Sequence, residues 1–380
     1  MSRHYFDSAS TTLLRPLARL AMQQSLDLPA GDPGRMHQEG LTVRHQLELA
    51  RESVGEFLGA RAREVVFTSS ASEAIAAAVW GQTSTNPGSV VITAAEHSAV
   101  RLAAERTGRS VPVGIDRHGR VDPQAVAAAI DAEHRAGRTV SLVCCQLGNH
   151  EVGTIQPVDE VSLVCHARGV ALLIDAAQAA AHVRFDFAQS GAAFATISGH
   201  KLGGPAGSGA LLVKRGLRID PMIVGGAQER ARRAGLENTV TAVGLGAACA
   251  ELGDTRSAEA VHTAGATDRL RAMFASINGV EIFGPPDATH RLPHLVCVGL
   301  DDIEPQAIVI ALDQAGIAAH SGSACASEEF EPSPILAAMG VAADRSLRLS
   351  VGWHTTDDDL DAACAAVPLV VDQLRSLRPG

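Results

Sequence analysis

Residues 198–205 read SGHKLGGP and follow the apolar segment 193–197, which reads AFATI. The apolar segment predicts a buried strand. The glycines and the proline after it predict a tight loop rather than a helix. Lys201 on such a loop can be held against a bound carbonyl compound, because a lysine amine forms Schiff bases with carbonyl groups. A surface lysine in a glycine-rich turn is the other interpretation, and a short motif alone does not separate the two.

A second apolar segment ends in a carboxylate. Residues 171–178 read ALLIDAAQ, and a continuous apolar run of this kind is typical of a buried parallel strand. Ligands of such sheets bind at the carboxyl ends of the strands, so Asp175 and Lys201 are predicted to lie in one site. A carboxylate beside a reactive lysine suits pyridoxal phosphate, whose pyridinium nitrogen pairs with an acidic group. Asp175 can equally be the N-cap of a following helix.

Cys325 lies in a segment of small and polar residues. Residues 320–327 read HSGSACAS, and acidic and proline residues follow up to residue 334. This composition predicts an exposed, mobile loop, and loops of this kind often carry function. Most free cysteines are buried and inert. Cys325 is therefore a candidate for chemistry.

These stretches, together with others in a fixed order, resemble the cysteine desulfurases, which are pyridoxal-phosphate enzymes of the aminotransferase class V group. The resemblance covers nearly the whole chain. The SGSAC form of the cysteine segment points to the NifS/IscS-like subgroup. The motifs that carry the resemblance are YFDSASTT (5–12), VFTSSASE (66–73), EHSAV (96–100), NHEVGT (149–154), GGAQER (225–230), SGSAC (321–325) and SLRLS (346–350).

The resemblance implies the α/β fold-type I aminotransferase architecture. A large cofactor-binding domain with a mostly parallel seven-stranded sheet is expected at residues 14–250. A smaller α+β domain is expected from residues 1–13 and 251–380, with the catalytic cysteine loop on it. Hydrophobic periodicity agrees, because strands and helices alternate up to about residue 250 and a long helix is predicted at 254–277. The predicted strands of the large sheet are residues 64–68, 89–94, 110–115, 139–146, 171–176, 193–197 and 209–213.

Several candidate site residues also have a plain structural interpretation. Ser70 and Ser72 lie between a predicted strand and an alanine-rich helix, where a helix N-terminus binds phosphate or a serine simply caps the helix. His97 can take part in the chemistry of the site, because the pKa of an imidazole lies near the working pH. It can also be an ordinary histidine at a helix end. Arg348 can grip a carboxylate with two hydrogen bonds or be a charge on a strand edge.

The resemblance also implies roles for individual residues. His97 is implied to stack over the cofactor ring, Asp175 to pair with the ring nitrogen and Gln178 to contact the ring hydroxyl. The implied catalytic residues are Cys325, Lys201 and His97, and the implied substrate contacts are Arg348 and His150, with no metal. The implied cofactor contacts are Ser70, Ala71, Ser72, His97, His150, Asp175, Gln178, Ser198, His200 and Lys201.

Two departures from the family pattern, at His150 and Leu236, concern residues near the cofactor. His150 stands where the family has the second asparagine of N-N-E-I-G, which approaches the cofactor and the substrate carboxylate. An imidazole still donates a hydrogen bond, but its size and pKa differ from those of an amide. Leu236 stands where the family has a threonine that touches the phosphate across a dimer interface, and a leucine cannot make that contact. Cofactor affinity and substrate rate depend on these two changes.

The implied function is conversion of L-cysteine to L-alanine by a homodimer, with sulfur passing to a Cys325 persulfide and then to an acceptor protein. A selenocysteine lyase-like enzyme, or another β-lyase, is an alternative within the same chemistry. A catalytically weak sulfur-carrier or scaffold subunit is an alternative of another class. The sequence leaves the destination of the sulfur open among iron–sulfur cluster assembly, tRNA or DNA thiolation and specialised metabolism.

Composition limits the remaining possibilities. The 380-residue chain has a formal net charge of −10 and no basic block, so direct binding of nucleic acid is not expected. Its seven cysteines form no C-x-x-C pair, which argues against a disulfide framework and a zinc site. No apolar run reaches the roughly 18 residues of a membrane span, and the N-terminus lacks a signal-peptide pattern. We therefore expect a protein of the reducing cytoplasm.

Overall fold

The structure is a computed structural model that describes residues 3–321 and 332–377. The strands are β1 (His4–Tyr5), β2 (Val65–Thr68), β3 (Ser89–Thr93), β4 (Ser110–Val113), β5 (Val140–Gln146), β6 (Ala171–Asp175), β7 (Phe194–Ser198), β8 (Gly209–Val213), β9 (Val280–Phe283), β10 (Leu295–Leu300), β11 (Ile317–Ala318) and β12 (Ser346–Ser350). The helices are α1 (Pro16–Leu26), α2 (Gln38–Phe57), α3 (Ala71–Thr85), α4 (Ser98–Glu105), α5 (Pro123–Arg135), α6 (Val158–Ala167), α7 (Phe187–Ser190), α8 (Gly199–Leu202), α9 (Gln228–Ala231), α10 (Thr239–Ala275), α11 (Pro305–Gln314), α12 (Pro334–Met339) and α13 (Asp357–Ser376).

The main sheet has seven strands in the order β2-β8-β7-β6-β5-β3-β4. Strand β8 runs antiparallel to both of its neighbours, and the other pairings are parallel. Each of the seven predicted strands is present close to its predicted bounds. The predicted fold class, an α/β protein with a mostly parallel seven-stranded sheet, is confirmed.

The central strands of this sheet are buried on both faces. In β5, Leu142 and Cys144 pack into one apolar cluster with α3 and α4, while Val143 and Cys145 pack into a second cluster on the opposite face. Successive residues of a strand point to opposite faces, so a continuous apolar run is what a sheet covered by helices on both sides requires.

The N-terminal and C-terminal segments meet at a second group of strands. The order β12-β10-β9 forms an antiparallel sheet, and β1 pairs in parallel with β11. The N-terminal arm then continues beside β12, where the backbone N–H of Ser350 donates to the carbonyl of Phe6 at 2.8 Å. This path places Asp7 next to the strand that contains Arg348.

Helix α10 is longer than the sequence predicts. The prediction begins at residue 254, whereas the helix begins at Thr239, with the side chain of Asn238 accepting from the N–H of Thr241. Glycines lower helix propensity, so Gly244 and Gly246 weaken the helical signal in the sequence of this region. A Cβ on Gly246 would lie 2.7 Å from the Cα of Ala50 in α2. The glycines therefore allow the two helices to pack closely. Helix α10 runs unbroken through residue 250, where a domain boundary is predicted, and the division into two domains stays a prediction.

The loop predicted after β7 is instead a single helical turn. Residues Gly199–Leu202 form α8, and the turn ends at Gly203, whose φ of 77° lies in the left-handed region. Gly199 is required because a Cβ there would collide with the side chain of Ser208. The glycines thus end and pack the turn, and Lys201 leaves the backbone from a fixed helical position.

The buried cysteines largely match the expectation from their apolar surroundings. Cys144, Cys145, Cys165, Cys249 and Cys297 are buried, whereas Cys364 on α13 is partly exposed and packs against the apolar cluster of the smaller sheet. Within residues 3–321 and 332–377, the helices are too short or too polar to cross a membrane.

Candidate active site

A cavity of about 230 Å³ opens where β5, β6 and β7 end. The structure brings all ten predicted cofactor contacts and Arg348 together around it. A larger cavity of about 710 Å³ lies elsewhere, between α2, α10 and residues 182–186, but it contains none of the predicted residues. The lining of the smaller cavity is Ala9, Ser10, Ser70, Ala71, Ser72, Ile75, His97, Gln146, Gly148, His150, Asp175, Ala177, Gln178, Ser198, His200, Lys201 and Arg348.

Lys201 and Asp175 follow two neighbouring parallel strands, β7 and β6. The Asp175 carboxylate accepts hydrogen bonds from the Ala177 backbone N–H and from the Thr196 hydroxyl, both at 3.0 Å. Lys201 donates from Nζ to Oε1 of Gln178 at 2.9 Å. No regular helix follows Asp175, since residues 177–182 form turns, so the carboxylate lines the cavity and is not a helix cap.

The N-terminus of α3 faces the same cavity. Ser70 is the N-cap of this helix, and its side chain accepts from the backbone N–H of Glu73 at 3.2 Å. The plain interpretation of Ser70 therefore holds, and Ser70, Ala71 and Ser72 also line the cavity. Unpaired N–H groups and the positive end of the helix dipole make such a terminus a ready site for a phosphate group.

Two imidazoles face each other across the cavity. The rings of His97 and His150 are 5.0 Å apart at an angle of 66°. Nδ1 of His97 accepts from the backbone N–H of Ala99 at 3.1 Å and so caps α4. Burial, and then the charge of Lys201, lower the pKa of His97, while Asp175 opposes them. His97 is therefore a neutral ring beside the lysine at physiological pH.

His150 is almost fully enclosed, with 4% of its surface exposed. Its Nε2 has no hydrogen-bond partner among the described residues and lies 3.7 Å from the Glu151 carboxylate. Burial first, and then the nearby titratable or cationic side chains of His97, Lys201 and Arg348, hold the pKa of His150 well below its usual value. The histidine that replaces the family's asparagine is therefore neutral near physiological pH and keeps one ring nitrogen free for a ligand.

Arg348 points inward although β12 lies at the edge of its sheet. Its side chain is 2% exposed. Nη1 donates to the backbone carbonyl of His150 at 2.7 Å, and Nη2 donates to Asp7 at 3.0 Å and to Ser10 at 2.8 Å. Nε is buried without a hydrogen-bond partner among the described residues. The strand-edge interpretation is thus wrong, and Arg348 is a held cation that keeps one donor for an anionic ligand.

The family model described as "Aminotransferase class-V" matches residues 4–363. The chain belongs to the aminotransferase class-V family. Cysteine desulfurase from Trichormus azollae is 36% identical over 396 aligned residues, which cover 100% of this chain and 95% of that protein. Cysteine desulfurase IscS from Methanosarcina thermophila is 34% identical over 386 residues, covering 99% of this chain and 93% of that protein. The solved structure of a NifS-like protein from Rickettsia africae has a TM-score of 0.88 at 26% identity, covering 97% of this chain and 99% of that one.

The family's enzymes use pyridoxal phosphate, and the donor set of this cavity fits that cofactor. An amine on Lys201, a carboxylate on Asp175 and a helix N-terminus at Ser70 are the groups that its aldehyde, pyridinium nitrogen and phosphate require. The free Nε2 of His150 and the free Nε of Arg348 are buried polar atoms that a bound ligand would satisfy. Buried polar groups are rarely left unpaired.

Some predicted features of this class-V chain are not at the cavity. Leu236 does not line it and is 63% exposed, so the departure from the family's threonine leaves an apolar side chain on the surface. Cys325 lies outside the described residues. Ser321, just before the undescribed segment, accepts from the hydroxyl of Ser346 in β12 at 2.6 Å.

Sequence reasoning missed other residues of the site. Glu96 lies in the quoted EHSAV motif, and burial raises its pKa to about 8. Its Oε1 accepts from the Thr93 hydroxyl at 2.7 Å and from the Gln146 backbone at 2.9 Å. The signal available for Glu96 was its position between a buried strand and His97. His294 contacts Gln178 at 2.8 Å, and nothing in its local sequence indicates this contact.

Replacing His150 by asparagine is expected to make the protein less sensitive to acid. The folded pKa of His150 is lowered from the usual 6.5, so in that range the unfolded chain binds a proton that the folded chain does not. The free energy of unfolding therefore decreases as the pH falls below 6.5. Asparagine removes this loss, and it should also remove one ionisation from the acid side of the pH profile for alanine formation. Chemical unfolding near neutral pH and at about pH 5 measures the first effect.

The matched control is His166→Asn on the exposed side of α6, which should leave both the pH dependence of unfolding and the rate profile unchanged. If His150→Asn had the same acid sensitivity and the same rate profile as the parent, His150 would be a purely structural replacement.

Proposed function

We propose that this protein is a pyridoxal-phosphate-dependent cysteine desulfurase, which converts L-cysteine to L-alanine and passes the sulfur to Cys325 and then to an acceptor. The observation that carries the proposal is the convergence of Lys201, Asp175, the α3 N-terminus and Arg348 on one cavity. This convergence occurs in a chain whose full-length relatives at 34–36% identity are named cysteine desulfurase.

In this proposal, different residues of the cavity contact different parts of the cofactor. Bound pyridoxal phosphate would supply an electron sink for the carbon from which a proton is removed. The phosphate would be held by Ser70, Ala71, Ser72, Ser198 and His200. Asp175 would pair with the ring nitrogen, Gln178 with the ring hydroxyl, and His97 would lie over the ring. A neutral His97 suits this place because it adds no positive charge beside Lys201.

The chain's own groups then act on the substrate. Arg348 binds the α-carboxylate of L-cysteine through its free donor, and His150 adds a neutral nitrogen beside it. Lys201 removes the Cα proton as a general base, a role for which geometry places an amine in the cavity. The Cys325 thiolate bonds to the substrate sulfur as the carbon–sulfur bond breaks. The electron pair of that bond remains on carbon, which takes up a proton and becomes the methyl group of alanine.

Product analysis with isotopically labelled L-cysteine tests this function. Alanine and persulfide sulfur should form in a 1:1 ratio in the first turnover, and an added thiol should release the sulfur as sulfide. A protein that acted on L-selenocysteine but released no alanine from L-cysteine would be a selenocysteine lyase-like enzyme. A protein that took the outer sulfur of a small-molecule persulfide onto a thiolate, with release of the donor thiol, but formed no alanine from either amino acid would be a carrier subunit.

Replacing Arg348 by lysine is expected to raise the KM for L-cysteine by about 100-fold, because a single ammonium cannot keep the bonds to Asp7 and the His150 carbonyl and also donate to the substrate carboxylate. The variant should also unfold more easily, since Asp7 and the His150 carbonyl lose their donors. Steady-state kinetics and thermal unfolding measure the two effects. Arg345→Lys is the control, because Arg345 pairs with Asp301 at a more exposed position. An unchanged KM in Arg348→Lys would remove the substrate role.

A homodimer is also proposed for the whole enzyme. Large apolar side chains are exposed on the single chain, with Met36 and Val224 each 78% and Leu236 63% exposed. Exposed apolar side chains of this size are candidates for the contact between two copies of the chain. Sedimentation velocity of the parent and of Val224→Asp measures this, and the variant should sediment as a monomer.

A further inference from the structure

Two histidines from distant parts of the chain stack on one another behind Lys201. The rings of His182 and His294 are 3.5 Å apart and nearly parallel, at an angle of 9°. His182 follows β6, and His294 immediately precedes β10. Nε2 of His294 lies 2.8 Å from Nε2 of Gln178, and Oε1 of Gln178 accepts from Lys201 at 2.9 Å. An unbroken line of contacts therefore joins the histidine pair to the lysine.

The direction of each hydrogen bond in this line follows from chemistry. A lysine ammonium has only donors, so Gln178 must turn its oxygen towards Lys201. The amide nitrogen then points to His294, whose Nε2 must accept. This is possible only for a neutral imidazole with its proton on Nδ1, and that Nδ1 is buried without a partner among the described residues. A protonated His294 would place a donor against the amide N–H and turn the amide around.

We propose that His294, held in its plane by the His182 ring, is a positioning residue that orients the Gln178 amide with its oxygen towards Lys201. An amide does not pass protons along a chain, so the device sets an orientation and is not a proton relay. The inference rests on the proposed function for the role of Lys201, but the contact that it describes exists without substrate.

The surroundings of His294 keep the ring in the accepting state. Its exposed fraction is 0%. Burial first, and then the charges of His182, Arg348 and Lys201, lower the pKa of His294. The titratable and charged groups that act on or face Lys201 from the surrounding elements are His97, His150, Asp175, His200, His294 and Arg348.

The pH dependence of lysine acylation tests the inference. Lys201 and Lys214 are the only lysines in the chain, so acylation of the full-length protein after removal of cofactor, followed by peptide mapping, reports on each separately. An acceptor that faces an ammonium stabilises its charge. His294→Leu should therefore lower the pH midpoint for Lys201 by about one unit, a tenfold change in the proton equilibrium. His294→Gln, which keeps an acceptor, should restore the parent midpoint, and Lys214 should be constant throughout.

A double variant separates positioning from a general packing effect. In a Gln178→Leu background, adding His294→Leu should cause no further change in the Lys201 midpoint, because His294 acts through Gln178. If His294→Leu does not fold, His294→Phe keeps a ring against His182 and replaces it in both comparisons. The inference would be overturned if the pH midpoint for Lys201 were the same in folded His294→Leu or His294→Phe as in the parent. It would also be overturned if either change lowered that midpoint further in the Gln178→Leu background. Neither outcome depends on desulfurase activity, so a failure here is distinct from a failure of the proposed function.

Discussion

Replacing Lys201 by arginine is expected to reduce alanine formation from L-cysteine by at least about 1,000-fold. Two functions of the amine are lost together. An arginine side chain stays protonated at any working pH and cannot act as a base or as a nucleophile towards a carbonyl. The fold should be retained, because Lys201 makes its hydrogen bond from a single helical turn whose ends are set by glycines. A guanidinium can still donate to Gln178.

Borohydride reduction of the parent protein loaded with pyridoxal phosphate, followed by peptide mapping, identifies the lysine that carries the cofactor. The label should appear on Lys201 and be absent from the Lys201→Arg variant. Lys214→Arg is the matched control, because Lys214 lies just beyond β8 on the exposed surface, and its activity should equal that of the parent. A label on Lys214, or substantial alanine formation by Lys201→Arg, would show that the site is wrongly assigned.

Replacing Cys325 by serine is expected to lower sulfide release and persulfide formation by at least about 1,000-fold. In the proposed mechanism the Cys325 thiolate is the sulfur nucleophile, whereas a serine hydroxyl is scarcely ionised at neutral pH and forms no persulfide. The five buried cysteines cannot replace it. Burial raises the pKa of Cys145 and Cys297, so few of their thiols ionise. Cofactor binding should be unchanged, because Cys325 is not one of the ten predicted cofactor contacts around the cavity.

Mass spectrometry of the protein after one turnover with labelled L-cysteine measures the persulfide directly. Cys364→Ser is the matched control, because Cys364 is the one cysteine of the described residues that is not buried, and it should keep full activity. Sulfide release by Cys325→Ser at the parental rate would exclude the proposed transfer through this residue.

The sequence alone predicted the main sheet and the two side chains at its carboxyl edge. Buried strands such as β6 and β7 are continuous apolar runs, and that signal is local because helices cover both faces of the sheet. Parallel strands end at one edge, so a carboxylate and a lysine after successive runs had to lie close together. The same local reasoning failed for α10, because Gly244 and Gly246 lower helix propensity but are needed where α10 packs against its neighbours.

Only the tertiary structure decided what surrounds those two side chains. The pairing of Arg348 with Asp7 joins residues 341 positions apart, and the stack of His182 on His294 joins two segments with no local pattern in common. The charge of His150 likewise depends on burial and on four cationic or titratable neighbours. Hydrogen bonds and pKa shifts depend on distance and solvent exposure in three dimensions. Local periodicity therefore determined the scaffold and the position of Lys201, whereas the protonation and orientation of the groups around it were set by long-range packing.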